Sequence, residues 1–459
     1  MRLTLGLVVL GLLTASTAVS QTNQFQGSVP TGIVSSTPLA LTFRDAIDRG
    51  IKTNLGLLVS DSASESARGQ RLRALSALLP QLDAKAGETI EQLNLKTIGF
   101  NLTIPGVNIP TIAGPFHYTD VRAYTTWNAF DYSARKDYRS AVENRRAAQL
   151  SVMDARDLVV QATASAYLQI IADASRMEAI RSQVETAQAL YDRTTNQQLA
   201  GTAAGIDVLR SQVELKQQQQ RLLAQRNEFD KDKLALGRVI GLPNGQDFNL
   251  SDTAPFAPLT AMTQDQALLA ALAQRPDYQS YQSRVRAAEN DVQAARGERY
   301  PTASVTADYG DVGPALNESH GTFSFVASAK INLFNGGRIS GDLIRAKAAL
   351  KQRQDELADL SGQIDYQVRA AFLDIRTAAD QVAVARDNLD LANQTLTQAR
   401  DRFAAGVTDN IEVIQAQESV ASADDSLISA LYAHNLAKVA LARALGGAEQ
   451  GIQKLVEVK

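Results

Sequence analysis

An internal duplication constrains the fold of this chain more than any other feature of its sequence. The stretch LAGTAAGIDVL at 199–209 matches AAGVTDNIEVI at 404–414, with glycine at the third position of both. The register is still kept much further along, where Gly241 falls on Gly446. A repeat that stays in register this long indicates one structural unit used twice. In each copy a long helical run ends at an Ala-Gly turn, and a second helix follows it.

The duplication covers nearly the whole chain. Segments 42–80 and 263–301 are equally long, and each begins with threonine and ends with proline. Thr42 stands three residues before Asp45, the spacing of a capping box, so a helix should begin there, break near Asn54 and end before the proline. We expect six regions: a signal peptide at 1–20, an extended leader at 21–40, the first repeat at 41–242, a linker at 243–262, the second repeat at 263–447 and a tail at 448–459.

The first twenty residues have the features of an export signal. Arg2 supplies a positive charge, Leu3 to Leu13 form an apolar core, and Ala18-Val-Ser20 resembles a cleavage site. The alternative is a buried N-terminal helix. No later stretch is apolar for long enough to form a membrane-spanning helix, so entry into a membrane would require a closed β-barrel.

Charge and composition exclude several functional classes. The 459 residues carry a net charge of −3 that is spread evenly, so no nucleic-acid partner is expected. The chain has no cysteine, which excludes disulfides, thiolate metal sites and a lipid-bearing cysteine. The three histidines are scattered, and there is no Gly-rich phosphate loop, Ser-His-Asp set or catalytic carboxylate pair. We therefore expect no enzyme activity, no metal and no cofactor.

Each repeat contains one predicted β-hairpin. In the second repeat, residues 302–309 and 323–333 alternate between polar and apolar side chains, with several aromatic residues on the apolar face. In the first repeat the corresponding runs start at Gln81 and at Thr119. The two hairpins are expected at 80–130 and 301–334, which gives four strands in all.

Long helices follow both hairpins. Neither 116–242 nor 315–459 contains a proline, and apolar or small residues recur there in steps of three and four. This spacing is typical of a coiled-coil seam, and its many alanines favour close helix packing. The predicted seam residues are Tyr167, Ile170, Ala174, Met177, Ile180, Val184, Ala187 and Tyr191 in the first repeat, and Phe372, Ile375, Ala379, Val382, Ala385, Leu389, Ala392 and Leu396 in the second.

Four strands with one apolar face cannot close a barrel alone, and that face needs lipid or a packed core. An exported chain with strands of about ten residues suits an outer-membrane barrel, so the sheet would be shared between subunits. One alternative is a soluble hairpin packed on a helical bundle. Another is a periplasmic helical scaffold or adaptor that never enters a membrane.

The sequence resembles the TolC family of outer-membrane efflux proteins over about 41–447. It shares the duplicated order of helix, hairpin, long helix, turn and helix, with Ala-Gly turns followed by IDVL and IEVI. The resemblance implies a mainly α protomer with a small β part, and a homotrimer whose 12-stranded β-barrel in the outer membrane continues into a periplasmic α-helical barrel. It also implies a passive exit duct of a tripartite efflux or type I secretion system. A periplasmic adaptor (membrane fusion) protein and an inner-membrane transporter would open that duct at its helix tips.

The resemblance places a ring of acidic side chains after the second turn, at Glu412 and Gln415. The family has aspartate at both positions, so Gln415 removes the charge of the inner ring. Three copies of Glu412 around one axis would still form a negative constriction. The alternative for both residues is a solvated helix face.

Asp207, Phe403 and Thr408 are the expected contacts and gating residues of the tips. Asp207 would tie the first turn to the neighbouring one, although an acid at a helix N-terminus also favours the local dipole. Phe403 matches an aromatic residue that helps to hold the tips closed, with ordinary packing as the alternative. Thr408 replaces an arginine of the family, so the contact must differ in detail here.

Two glycines and one tryptophan complete the candidate residues. Gly201 and Gly406 are expected at turns that need left-handed or open backbone, on the surface where an adaptor would dock. Trp127 lies near the inner end of the first hairpin and is a candidate anchor in outer-membrane lipid at the membrane interface. Packing in a core is the alternative for Trp127.

Overall fold

The computed structural model describes residues 25–99, 110–252, 256–258, 262–449 and 451–452. The predicted signal peptide lies outside the described residues, as do parts of the predicted leader, first hairpin loop, linker and tail. The chain divides into two compact units. The first unit comprises the residues up to 59, 154–274 and those from 365 onward, and the second unit comprises 60–153 and 275–364.

Helices make up most of the described chain, and each repeat follows the predicted order of helix, hairpin, long helix, turn and helix. The predicted mainly α-helical fold class is therefore confirmed. In chain order the elements are β1 (Leu39–Leu41), α1 (Phe43–Thr53), α2 (Leu55–Ser76), β2 (Gln81–Asn94), β3 (Ile112–Phe130), α3 (Tyr132–Leu199), α4 (Gly205–Val239), β4 (Phe248–Leu250), α5 (Gln264–Gln274), α6 (Pro276–Gly297), β5 (Thr302–Gly313), β6 (His320–Lys330), α7 (Arg338–Ala404) and α8 (Asn410–Leu445).

Local signals set the ends of the shorter helices. The side-chain oxygen of Thr42 accepts a hydrogen bond from the backbone N–H of Asp45 at 3.1 Å, which satisfies a free donor in the first turn of α1. Asn54 has extended backbone and separates α1 from α2. Pro276 separates α5 from α6, because the residue before a proline is disfavoured in the helical region, and Arg275 accordingly has a ψ of 122°.

The second unit contains a four-stranded antiparallel sheet in the order β2-β3-β5-β6. Each predicted hairpin supplies two strands, and β3 pairs with β5 so that Arg122 lies opposite Gly310. On the polar face, Arg122 forms ion pairs with Asp120, at 3.1 Å, and with Asp308, and donates a hydrogen bond to Thr322 at 2.9 Å. These charge-assisted contacts cross three strands and favour a single register between the two hairpins.

The opposite face of this sheet is apolar and exposed. Tyr309, Phe323 and Phe325 each expose most of their side-chain surface there. This agrees with the predicted alternation of the second hairpin. Strand β6 ends earlier than predicted, however, because the chain leaves the ladder after Lys330, so Leu333 lies beyond the strand.

A second, two-stranded sheet lies in the first unit and gives no recognisable signal in the sequence. Strands β1 and β4 are parallel and only three residues long, and Leu41 pairs with Leu250. The predicted number of four strands is therefore too low, since the described residues form six. A three-residue strand is too short to show alternation. Leu41 and Phe248 are both buried, so the residue that follows the predicted leader and a residue inside the predicted linker belong to the core.

Tyr167 on α3 holds these short segments together in the core of the first unit. Its buried ring packs edge-on against the ring of Phe43, with ring centroids 5.3 Å apart. Its hydroxyl oxygen lies 3.0 Å from both the carbonyl oxygen of Leu41 and a carboxylate oxygen of Asp252. The same carboxylate accepts a hydrogen bond from the backbone N–H of Phe43 at 2.5 Å. A buried tyrosine of this kind needs such partners for its hydroxyl group.

The two longest helices, α3 with 68 residues and α7 with 67, carry the predicted seams. Each would be about 100 Å long at 1.5 Å per residue. On α7 the seam residues Ile375, Val382 and Leu396 are buried, while Val384 and Leu391 are exposed. Within the described part of the chain, no helix combines the length and the apolar character that crossing a membrane requires.

Candidate functional site

Both long helical hairpins end in the same turn. After α3, Gly201 adopts a φ of 70°, and after α7, Gly406 adopts the same value. The backbone N–H of Thr202 donates to the carbonyl oxygen of Gln197 at 2.8 Å, as that of Val407 does to Arg402 at 3.0 Å. Each glycine N–H also donates to the carbonyl oxygen three residues before it, at 2.9 Å for Gly201 and 3.1 Å for Gly406. The two bonds together are the Schellman arrangement that ends a helix on a left-handed residue. The duplication seen in the sequence therefore extends to the backbone hydrogen bonds. We call the turns 200–204 and 405–409 the first and second tip turn.

The helices that leave the two tip turns begin differently. Asp409 caps α8, because its carboxylate accepts a hydrogen bond from the backbone N–H of Ile411 at 3.1 Å. The residue in that position before α4 is Ala204, which has no side-chain acceptor. Thr408 is half-buried beside the cap, and Gly201 and Gly406 are exposed. Asp409 was not predicted as a cap from the sequence, although an aspartate before an apolar run is a capping signal.

An apolar cluster supports the second tip turn. Leu190 of α3, Leu396 and Ala399 of α7, and Val413 and Ala416 of α8 form its buried part. Phe403 packs against this cluster and is half-buried. The guanidinium carbon of Arg193 lies 5.1 Å from the centre of the Phe403 ring, within the range of a cation–π contact. Phe403 thus contacts the apolar cluster and also the guanidinium of Arg193.

Asn410 joins the two tip turns. Its buried side chain donates a hydrogen bond from Nδ2 to the backbone carbonyl oxygen of Asp207 at 2.8 Å. The carboxylate of Asp207 instead lies 3.5 Å from the guanidinium of Arg210, one turn along α4. Asp207 therefore contacts the neighbouring turn through its backbone. Nothing in the sequence marks Asn410, since its counterpart in the first repeat is a glycine.

The acidic position after the second tip turn has a basic neighbour. Arg402 of α7 places its Nε 3.4 Å from a carboxylate oxygen of Glu412 on α8. The side chain of Glu412 is 38% exposed, and Gln415 is exposed as well. The structure brings Glu412, Thr408 and Phe403 to one turn and sets Asp207 beside it. Arg402 was not among the residues predicted from the sequence.

Polar side chains fill much of the contact between α4 and the neighbouring helices near the tips. The hydroxyl oxygens of Thr194 and Ser211 lie 2.7 Å apart, and Gln218 donates a hydrogen bond to Glu214 at 2.7 Å. All four of these residues are buried, as is Gln417 on α8. Buried polar groups need partners, so this contact is more sensitive to exact placement than an apolar one.

A buried carboxylate links α3, α4 and α8 further from the tips. Asp173 accepts hydrogen bonds from Gln169, Gln225 and Arg176 at 3.1–3.2 Å. Arg176 also reaches α8, where it lies 2.9 Å from Asp425. Such a set of charge-assisted bonds fixes the relative placement of the three helices. The spacing of these residues carries no sequence signal, because they come from three distant segments.

These hydrogen bonds around Asp173, which we call the Asp173 junction, lie next to a carboxyl group on α4 whose pKa is raised. Burial, a hydrogen bond shared with Asp173 and repulsion from Asp173 and Glu228 together raise the pKa of Asp232 to about 6. A hydrogen bond from Gln169 acts in the opposite direction. The charge of the neighbouring carboxylate thus disfavours ionisation of Asp232.

The remaining candidates lie apart from the tip turns. Trp127 belongs to β3 of the second unit, is 41% exposed and donates a hydrogen bond from Nε1 to the carbonyl oxygen of Leu78 at 3.2 Å. His434 on α8 is buried, and burial together with the charge of Lys438 lowers its pKa to about 4. Within the described ranges, no group of three or more His, Cys, Asp or Glu side chains is placed to hold a metal ion.

Comparison with known proteins identifies the family and the relatives of this chain. The chain matches the family described as Outer membrane efflux protein over residues 47–242 and 267–447. It is 24% identical over 422 residues to the toluene efflux pump outer membrane protein TtgF of Pseudomonas putida, covering 88% of this chain and 83% of that protein. It is 22% identical over 418 residues to the pyoverdine export outer membrane protein OpmQ of Pseudomonas aeruginosa, covering 88% and 85%.

Solved structures show the same fold. The outer membrane protein VceC of Vibrio cholerae superposes with a TM-score of 0.76 at 18% identity, covering 88% of this chain and 96% of that one. The CmeC outer membrane channel of Campylobacter jejuni gives a TM-score of 0.75 at 16% identity, covering 95% of both chains.

A duplicated protomer of long helices with a one-sided sheet is thus the fold of outer-membrane channel proteins. The chain belongs to the outer membrane efflux protein family. It lies in the outer membrane with its helical part in the periplasm, and it acts as the outer-membrane duct of an efflux system.

Proposed function

We propose that three copies of the chain form a passive exit duct that a periplasmic adaptor and an inner-membrane transporter open at the tip turns. The observation that carries this proposal is the pairing of the two tip turns. They share one backbone arrangement, and the buried side chain of Asn410, directly after the second tip turn, donates a hydrogen bond to Asp207 at the start of α4. The partner transporter supplies the energy, so the duct itself catalyses no reaction.

An exposed apolar stripe on α7 supports self-association. Tyr366, Leu373, Val384 and Leu391 fall on one side of the helix at 3.6 residues per turn, and each is 61–72% exposed. An apolar stripe of this length along a single helix is typical of a protein–protein contact. The sheet also supports self-association, because β2 and β6 lie at its edges and offer unpaired backbone groups to neighbouring copies.

The tip turns suit a regulated opening. Gly201 and Gly406 are exposed and stand on surface that an adaptor can reach. The contact that must separate is small and largely polar, with Thr194, Ser211 and Asn410 among its members. Polar groups regain hydrogen bonds to water when such a contact opens, so opening costs less than separating an apolar contact of the same size. In this proposal Glu412 and Gln415 line the constriction, Asp207, Phe403 and Thr408 hold it, and Trp127 anchors the sheet at the membrane interface.

Assembly is tested by measuring the mass of the detergent-extracted protein with native mass spectrometry. We expect about three times the mass of one chain, the value that three copies give. Leu391→Glu should shift the protein to single chains, because a charge on the apolar stripe opposes its burial. Asn393→Glu adds the same charge on the other side of α7 and should leave the assembly intact. A wild-type protein that is monomeric in detergent, or a trimer that survives Leu391→Glu unchanged, would count against the proposal.

A further inference from the structure

We propose that Arg402 cancels the charge of Glu412 at the second tip turn, so that the constriction of the duct does not select cations. The inference rests on the proposed function, because that function brings three copies of this turn around one axis. It differs from the expectation that Glu412 alone sets the charge of the constriction. Arg402 is here a specificity-determining residue, and its partner is the carboxylate of its own chain.

The geometry brings the two charges together across the turn. Arg402 lies in the last turn of α7 and Glu412 in the first turn of α8, and the Nε to carboxylate oxygen distance is 3.4 Å. Their side chains are 57% and 38% exposed. An ion pair with this exposure contributes little to stability. It nevertheless reduces the net charge that a permeating ion meets, because two opposite charges 3.4 Å apart sum to zero and leave only the weaker field of a dipole.

Two acids close to this pair have partners of their own. Asp207 lies 3.5 Å from Arg210, and the carboxylate of Asp409 accepts a hydrogen bond from the helix it caps. Position 415, where the resemblance to the TolC family predicts an acid, holds an uncharged glutamine. The positive end of the α8 dipole also lies at this turn and further offsets negative charge. Glu412 therefore has its own counter-charge in Arg402, as Asp207 has in Arg210.

The pair has a consequence for the class of solute that passes. A bare ring of carboxylates concentrates cations and slows anions at a constriction. A ring of paired charges does neither, so it suits neutral, zwitterionic or weakly anionic organic molecules as well as cations. We infer that the duct passes solutes without selecting for positive charge.

The test is the reversal potential of the purified wild-type protein in planar bilayers across a KCl concentration gradient. The wild type should show a potassium-to-chloride permeability ratio near unity. Arg402→Gln exposes the carboxylates of Glu412 and should raise that ratio by about threefold or more. Glu412→Gln should shift the ratio toward chloride, and the double variant should return to the wild-type value.

A matched control uses the neighbouring arginine. Arg400→Gln removes the same charge two residues away, which is about 200° around the helix from Arg402, so the ratio should stay at the wild-type value. Strong cation selectivity in the wild type, or a ratio that Arg402→Gln leaves unchanged, overturns the inference while the duct remains. Absence of conductance in every variant overturns the proposed function, and this inference with it.

Discussion

At the scale of single residues, backbone conformation at the tip turns depends on glycine. Gly201 and Gly406 both have a φ of 70°, and a Cβ added at either one would meet no atom within 4 Å. The cost of a side chain there is therefore backbone strain alone. The two positions are equivalent in geometry, so the same substitution at each should have the same local effect.

Gly406→Ala should weaken the second tip turn by about 1–2 kcal/mol, the cost of a left-handed L-residue. Hydrogen–deuterium exchange of the amides at 405–407 should then be about 5- to 30-fold faster than in the wild type. Gly362→Ala provides the control, because Gly362 lies inside α7 with open space around it. That variant should leave exchange at the turn unchanged and should stabilise α7 by about 0.5–1 kcal/mol. Equal exchange at 405–407 in Gly406→Ala and the wild type would contradict this account of the turn.

At the scale of elements, the junction around Asp173 ties α3, α4 and α8 through hydrogen bonds to a buried carboxylate. Asp232 enters this junction with its pKa raised to about 6 from an ordinary 3.8. A raised pKa means that the folded protein prefers the protonated group. Its contribution to stability is therefore complete below about pH 4 and is lost as the pH rises through about 6.

Asp232→Asn should remove this pH dependence, since asparagine keeps a hydrogen-bond donor for Asp173 at every pH. The wild type should unfold at a lower temperature at pH 7.5 than at pH 5, and the difference should shrink in Asp232→Asn. Thermal unfolding followed by circular dichroism at both pH values measures this. Asp230→Asn, at an exposed position on the same helix, should behave as the wild type does. A wild-type difference that persists unchanged in Asp232→Asn would refute the assignment.

The elements also show what the sequence can predict. The long helices and the two hairpins follow from periodic patterns, because apolar side chains repeat over many turns or along a whole strand. Strands β1 and β4 could not be predicted, since three residues carry no period. The junction at Asp173 and the link from Asn410 to Asp207 depend on residues far apart in the chain, which no local pattern brings together. Arg402 was missed for a different reason, because the resemblance directs attention to the acid after the turn and not to the base before it.

At the scale of the whole molecule, the duplication gives two helical hairpins and a sheet with open edges in one chain. Membership of the outer membrane efflux protein family identifies such a chain as an efflux duct of the outer membrane. Opening of the proposed duct depends on whether the link between the two tip turns holds the constriction closed. That link is a single hydrogen bond from Asn410 to the backbone of Asp207.

The most direct test is the single-channel conductance of the purified protein in planar bilayers, compared between the wild type and Asn410→Ala. The account predicts a small conductance for the wild type and a larger one for Asn410→Ala, because losing a buried hydrogen bond costs about 1–3 kcal/mol and favours the open state. Asn393→Ala, at an exposed position on α7, should match the wild type. Absence of conductance in all three proteins, or the same conductance in Asn410→Ala as in the wild type, would contradict the account.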